Sequence, residues 1–139
     1  MKKSYELEMK VRDYECDSQG VVNNANYLHY METTRHEFMC SLGMTFKESQ
    51  LMNIDPVVVR ANLHYKTPLT GGDVFISKLT IERKGVKMIF NQTIYRKSDN
   101  ILCCSGIIEA AILINKKPSR GDLFDEKLKE CLYLDTTEN

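Results

Sequence analysis

At 139 residues the chain is long enough for one domain, spanning 1–139, with a single sizeable core. Its 19 basic side chains balance 19 acidic ones, which argues against general nucleic-acid or membrane-surface binding and leaves room only for a local basic patch. Met1-Lys2-Lys3-Ser4-Tyr5-Glu6 has no apolar run behind its lysines, and no stretch of about 20 apolar residues follows, so no signal peptide or membrane span is predicted.

The cysteines are Cys16, Cys40, Cys103, Cys104 and Cys131. Their number is odd and no two are spaced Cys-x-x-Cys, which suggests neither a disulfide framework nor a zinc site. Free thiols without an export signal fit a reducing, cytoplasmic setting. They read as small buried apolar residues, with Cys103 and Cys104 on opposite faces of a strand. Cys16 neighbours Asp17 but has no His close in sequence to activate it.

Taken in order, Tyr5 to Tyr14 alternates. Leu7, Met9 and Val11 lie on one side and Glu6, Glu8, Lys10 and Arg12 on the other, the pattern of a half-buried strand. A loop through Asp17 and Gly20 follows. Tyr27, Tyr30, Met31, Thr34 and Phe38 then recur at helical spacing, and the helix is expected from about Asn26 to Ser41 or Leu42, ended by Gly43. Thr45 followed by Glu48 can cap a short helical turn. From Val57 to Lys66 the chain alternates again and predicts a two-sided strand, closed by Pro68. Thr70-Gly71-Gly72-Asp73 is a turn signal. Val74 to Arg83 and Val86 to Lys97 read as strands joined at Lys84-Gly85. Ile101 to Ile114 is nearly continuously apolar and suits a strand in mid-sheet. Asp122 to Leu132 carries a helical stripe with Asp122 as cap. One apolar-striped helix beside consecutive strands with short turns is an α+β arrangement, with the helix on an antiparallel sheet.

The stretch from Asp17 to Tyr27 carries the chemistry. Gly20 can take a positive φ and turn the loop sharply, while Asn23, Asn24 and Asn26 favour turns and caps. A carboxylate therefore stands a few residues before a helix N-terminus, whose unengaged N–H groups favour a developing negative charge. By spacing alone such an Asp is ordinarily a cap or turn residue. The remaining histidines, His29, His36 and His64, have no metal-ligand spacing and read as surface or structural residues; no metal is implied, and Gly71-Gly72 lacks the helix that a phosphate loop needs.

Asp-x-x-Gly-x-Val-x-Asn-x-x-Tyr, from Asp17 to Tyr27, with Tyr30, Glu32 and Arg35 after it, resembles the signature of the hot-dog-fold acyl-CoA thioesterases. It is most similar to the 4-hydroxybenzoyl-CoA thioesterase group, which includes the small enzymes associated with the Tol–Pal cluster. Tyr65-Lys66-Thr67-Pro68 and Gly72-Asp73 resemble a second block of that family. The resemblance runs over roughly residues 5 to 130. It implies a curled sheet around a central helix, hydrolysis of an acyl or aroyl thioester with no cofactor, and a homo-oligomer, dimer or tetramer, whose active sites are each built from two chains. Asp17 is the implied base or nucleophile. The backbone N–H at Asn24 is the implied donor to the carbonyl oxygen. Related enzymes carry His or Tyr there, so a side-chain imidazole has no counterpart in this chain.

Tyr27 is expected to face the substrate. Arg83, Lys84 and Lys87, around a predicted hairpin turn, are expected to meet the phosphates of the coenzyme. Glu32 and Arg35 are equally explained as an i, i+3 ion pair. Thioesterase action on an acyl carrier protein, and acyl-CoA or lipid binding without turnover, are the alternatives. A dehydratase fits less well, because no His falls between Asp17 and Tyr27.

Overall fold

The computed structural model describes residues 4–119 and the backbone of 132–134. Strand β1 covers Tyr5–Lys10, followed by a 3-10 turn at Asp13–Glu15. Helix α1 covers Asn24–Ser41 and the short α2 covers Phe46–Leu51. Strands β2 (Ile54–Tyr65), β3 (Val74–Lys84), β4 (Lys87–Arg96) and β5 (Leu102–Ile114) follow. Two short strands, β6 (Lys117–Ser119) and β7 (Leu132–Leu134), join β5 and β3. The sheet order is β1-β3-β4-β5-β2, antiparallel throughout except where β7 runs parallel to β3. The expected helix at Asp122–Leu132 lies outside the described residues, save that Leu132 opens β7.

The first strand stops four residues before the expected Tyr14. Its partner β3 begins at Val74, opposite Lys10, so no strand remains for it to pair with. The chain then tightens because the Glu15 carboxylate accepts the Arg12 N–H at 2.8 Å. Helix α1 starts two residues earlier than expected, because the side chain of Asn23 accepts the Ala25 N–H at 3.0 Å and caps it. Thr45 and Glu48 form the capping box of α2, as their spacing predicts.

The stripe Tyr27, Tyr30, Met31, Thr34 and Phe38 is buried against the inner face of the sheet. That face is set by alternation, with Phe75, Ser77, Leu79, Ile81 and Arg83 inward on β3 and Met88, Phe90, Gln92 and Ile94 inward on β4. Polar ties fix the helix to it. Thr34 and Ser77 share a 2.6 Å hydrogen bond, and Gln92 donates to the Met31 carbonyl at 3.0 Å while accepting from Arg35 at 2.9 Å. Arg35 is thus not an ion-pair partner of Glu32. It is buried, and Glu32 reaches His36 at 3.8 Å instead.

Strand β2 departs most from expectation. It does not neighbour β3 but lies at the far edge beside β5, with a register shift between Val58 and Arg60. Beyond the helix's cover, both of its faces are open. Val57, Val58, Val59 and Tyr65 are 41%, 49%, 54% and 52% exposed.

Met31 of the helix packs directly over Gly106 on β5. A Cβ there would stand 2.9 Å from Met31 Sδ and 3.4 Å from Leu63 Cδ1. Met31 is fully buried, so its thioether has little room to yield. Gly106→Ala is expected to destabilise the fold by about 1–3 kcal/mol in urea titration, by overpacking. In a Met31→Ala background the same change should cost clearly less; equal costs in both backgrounds would show that Met31 is not the obstacle.

Candidate active site

The loop that holds Asp17 is closed by short-range pairing. The Asp17 N–H donates to the Val21 carbonyl at 2.8 Å, the Gly20 N–H donates to the Asp17 carbonyl at 3.0 Å, and Cys16 and Val22 bridge across the base. Gly20 takes φ 81°, the positive value that its place in the turn requires. The Asp17 carboxylate is exposed, and one of its oxygens accepts the Gln19 N–H at 2.8 Å.

Immediately after this loop α1 begins. Asn24 is its first residue. Asn23 caps Ala25, and the Asn26 N–H donates to the Asn23 carbonyl at 2.9 Å. The amide of Asn24 has no acceptor among the described residues, so the helix start offers one donor to an incoming oxygen.

Glu15 joins the two parts. Its carbonyl accepts the Asn23 N–H at 2.9 Å and Asn26 Nδ2 at 2.8 Å, both at the helix start. Its carboxylate, nearly buried, accepts the Tyr30 hydroxyl at 2.8 Å and the Arg12 amide, and lies 3.3 Å from the Arg12 guanidinium. Burial, followed by the hydrogen bond to the Glu15 carboxylate and its charge, pushes the Tyr30 hydroxyl well above the ordinary tyrosine range, which keeps it a donor. The sequence reading missed Glu15; its i, i+3 spacing from Arg12 is the one local trace.

Tyr27, expected at the substrate, is buried, and its hydroxyl accepts the Leu69 N–H at 2.9 Å. It anchors the segment between β2 and β3 over the helix start, where the Val22 N–H also donates to the Leu69 carbonyl. Tyr65, from the exposed edge strand, packs edge-on to Tyr27 at 5.6 Å and sets its hydroxyl 3.4 Å from the Asn24 carbonyl. Cys16 is a poor nucleophile: desolvation, then the Asp13 and Asp17 carboxylates, push its thiol up.

Of the three expected coenzyme cations, Arg83 parts from the two lysines, which face each other across the hairpin as cross-strand partners. Arg83 is buried on the inner face, Lys84 is exposed at the hairpin, and Lys87 pairs with Glu109 at 3.1 Å. The Asp17 loop is tied to the other end of β3, through Val11 to Asp73 and Val21 to Thr70. The eleven residues of Val74–Lys84, separated by ten steps of about 3.3 Å, put roughly 33 Å between the two ends. A cavity of about 460 Å³ opens under the second half of α1, away from the Asp17 loop, and its lining includes Arg35, Met39, Val57, Met88 and Phe90.

Comparison with known proteins identifies the family and the fold. Residues 11–132 match the thioesterase-like superfamily. An acyl-acyl carrier protein thioesterase of Arabidopsis thaliana, ATL3, is 34% identical over 110 residues, which cover 77% of this chain and 58% of the relative. The chain thus spans little more than half the length of that relative. A putative acyl-CoA thioesterase of Bacillus subtilis, YneP, is 32% identical over 95 residues, covering 68% of this chain and 69% of the relative. The crystal structure of a hypothetical protein from Aquifex aeolicus superposes with a TM-score of 0.82 at 28% identity, over 89% of this chain and 98% of that one. The helix on a curled antiparallel sheet is the hot-dog fold, and the chain belongs to the thioesterase-like superfamily.

Proposed function

We propose that the protein is a thioester hydrolase acting on acyl-CoA, with Asp17 as the reacting carboxylate. The observation that carries this reading is the exposed Asp17 carboxylate in a loop locked next to a helix start whose Asn24 amide is unengaged. A thioester carbonyl is already electrophilic. Asp17 either takes a proton from water as the water oxygen adds to the carbonyl carbon, or adds itself to form an anhydride that water then opens. In both routes the carbonyl oxygen gains charge and the Asn24 N–H stabilises it. Collapse of the tetrahedral adduct breaks the C–S bond in either route, giving the free acid directly in the first and the anhydride, which water opens to the acid, in the second. The departing thiolate takes up a proton supplied by that water and leaves as the coenzyme thiol. The names of the two relatives divide between acyl-CoA and acyl carrier protein, so a carrier-protein substrate is the second reading.

The site is completed by a second copy of the chain. The hairpin lysines and the helix–sheet cavity lie at the end of the sheet opposite Asp17. The twelve-residue edge strand β2 leaves one row of backbone groups unpaired and apolar side chains in the open. Antiparallel pairing of two β2 strands covers that edge. It also reverses one chain against the other, so that each Asp17 loop comes to the cavity end of its partner.

Hydrolysis of a panel of acyl-CoA esters, from short aliphatic through aromatic to long-chain, is the direct assay. Asp17→Asn should lower turnover on the best ester by about 10²–10⁴-fold with circular dichroism unchanged. A variant with wild-type turnover would reduce Asp17 to a loop residue. Selective turnover of the carrier-bound acyl group would favour the second reading. Light scattering at micromolar concentration should give at least twice the 16.1 kDa chain mass. Paired Val57→Lys and Val59→Lys changes on the edge should yield a folded, inactive monomer. A wild-type monomer with full activity would contradict the shared site.

A further inference from the structure

We propose that the cavity beneath the second half of α1 binds an aliphatic carboxylate, with its head group on Arg35 and its stem along the apolar wall. The wall is made by Met39, Met44, Ile54, Met88, Phe90 and Ile112. Three of these six are methionines, whose unbranched thioethers adapt to a flexible chain rather than fixing one rigid shape. The volume of about 460 Å³ falls in the range of small-molecule sites, about 300–1,000 Å³.

Arg35 is what makes the pocket selective. The residue is 9% exposed, yet it lines the cavity. Among the described residues no carboxylate lies within ion-pair distance of its guanidinium. Its one hydrogen bond goes to the neutral Gln92 Oε1 at 2.9 Å, and its Cζ lies 5.8 Å from the Phe90 ring centroid. Gln92 is itself locked by its bond to the Met31 carbonyl, so it cannot swing away. Four of the five guanidinium N–H groups are left for a planar acceptor, and a carboxylate matches that fork in two-point geometry. Besides the Phe90 ring, the cation feels the exposed Glu32 charge only from beyond ion-pair distance, so a buried guanidinium bonded to an amide alone is a costly arrangement that an anion at this place would relieve. The carboxylates of the lining, Glu32 and Asp55, are exposed residues, whereas Arg35 sits with the buried floor of Met88, Phe90, Ala110 and Ile112. The charge pattern therefore leads from an acidic rim to a basic interior.

The carboxylate has two chemical sources: a free fatty acid, or the far end of an acyl group that carries a second carboxyl. The second rests on the hydrolase reading; binding itself does not. Calorimetric titration of the full-length wild type with decanoate and with decanol tests binding without turnover, and Asp17→Asn should give the same values. Decanoate should bind at least about tenfold more tightly than decanol. Arg35→Met, close in volume, should erase that preference. Ala110→Leu, which fills the cavity floor and leaves Arg35 in place, should weaken both ligands. Equal affinity for decanoate and decanol in the wild type, or no binding of either, would overturn the proposal. So would a preference that survives in folded Arg35→Met. A higher kcat/KM for an ω-carboxyacyl-CoA than for the plain acyl-CoA of equal length, lost in Arg35→Met, assigns the far end of the substrate. Equal kcat/KM values together with decanoate binding assign the free acid.

Discussion

Glu15 is the residue through which the loop and the helix act as one unit. Its carbonyl holds Asn23 and Asn26, and its carboxylate holds Tyr30 one turn further along α1. The helix start therefore cannot rotate or slide relative to the segment that leads into Asp17 without breaking two hydrogen bonds to the Glu15 carbonyl and a charge-assisted one to its carboxylate. The bond to the carboxylate alone is of the kind worth about 1.5–3 kcal/mol. The rest of the site follows from this fixed angle. Asn23 is free to cap Ala25 because its own amide is already held by Glu15, and Leu69 closes over the helix because Tyr27 is in register to accept its N–H.

What the sequence discloses is what local rules control. The stripe from Tyr27 to Phe38 shows the buried face of α1 directly, because the 3.6-residue period is a property of the helix alone. Gly20 and Asp17 stand out because a tight loop has few residue solutions. The Tyr30–Glu15 bond spans 15 residues and the Leu69–Tyr27 bond spans 42, and no local period records either. Strand parity, however, does place Arg83. It shares its face with Leu79 and Ile81, so it turns inward, while Lys84 turns out. Grouping the hairpin cations by sequence proximity alone overlooked this alternation. The alternation of β2 misled in the opposite sense, because an edge strand awaiting a partner and a half-covered strand have the same pattern.

The division of labour along the molecule is the second consequence of the fold. One end of the sheet carries the Asp17 carboxylate and the helix start, and the other carries the apolar cavity and the lysine hairpin. Met31, Gly106 and Leu63 pack tightly between them. The proposed chemistry and the proposed ligand recognition thus fall at opposite ends of a single chain, and the long open edge of β2 is the element that would bring them together in the proposed pairing of two copies.

The central claim is that a backbone amide, not a side chain, polarises the thioester beside Asp17. Steady-state kinetics of Asn24→Ala and Asn24→Pro measure this directly. Alanine keeps the N–H. Proline removes it at the first helical position, where its fixed φ is tolerated. Asn23 already has φ −62° and ψ 135°, the extended geometry that a following proline demands. The account predicts a near-normal alanine variant and a proline variant, folded by circular dichroism, with kcat lower by about 10²–10³. A fully active, folded proline variant would move the donor to another amide, and an alanine variant as slow as the proline one would give the role to the Asn24 side chain.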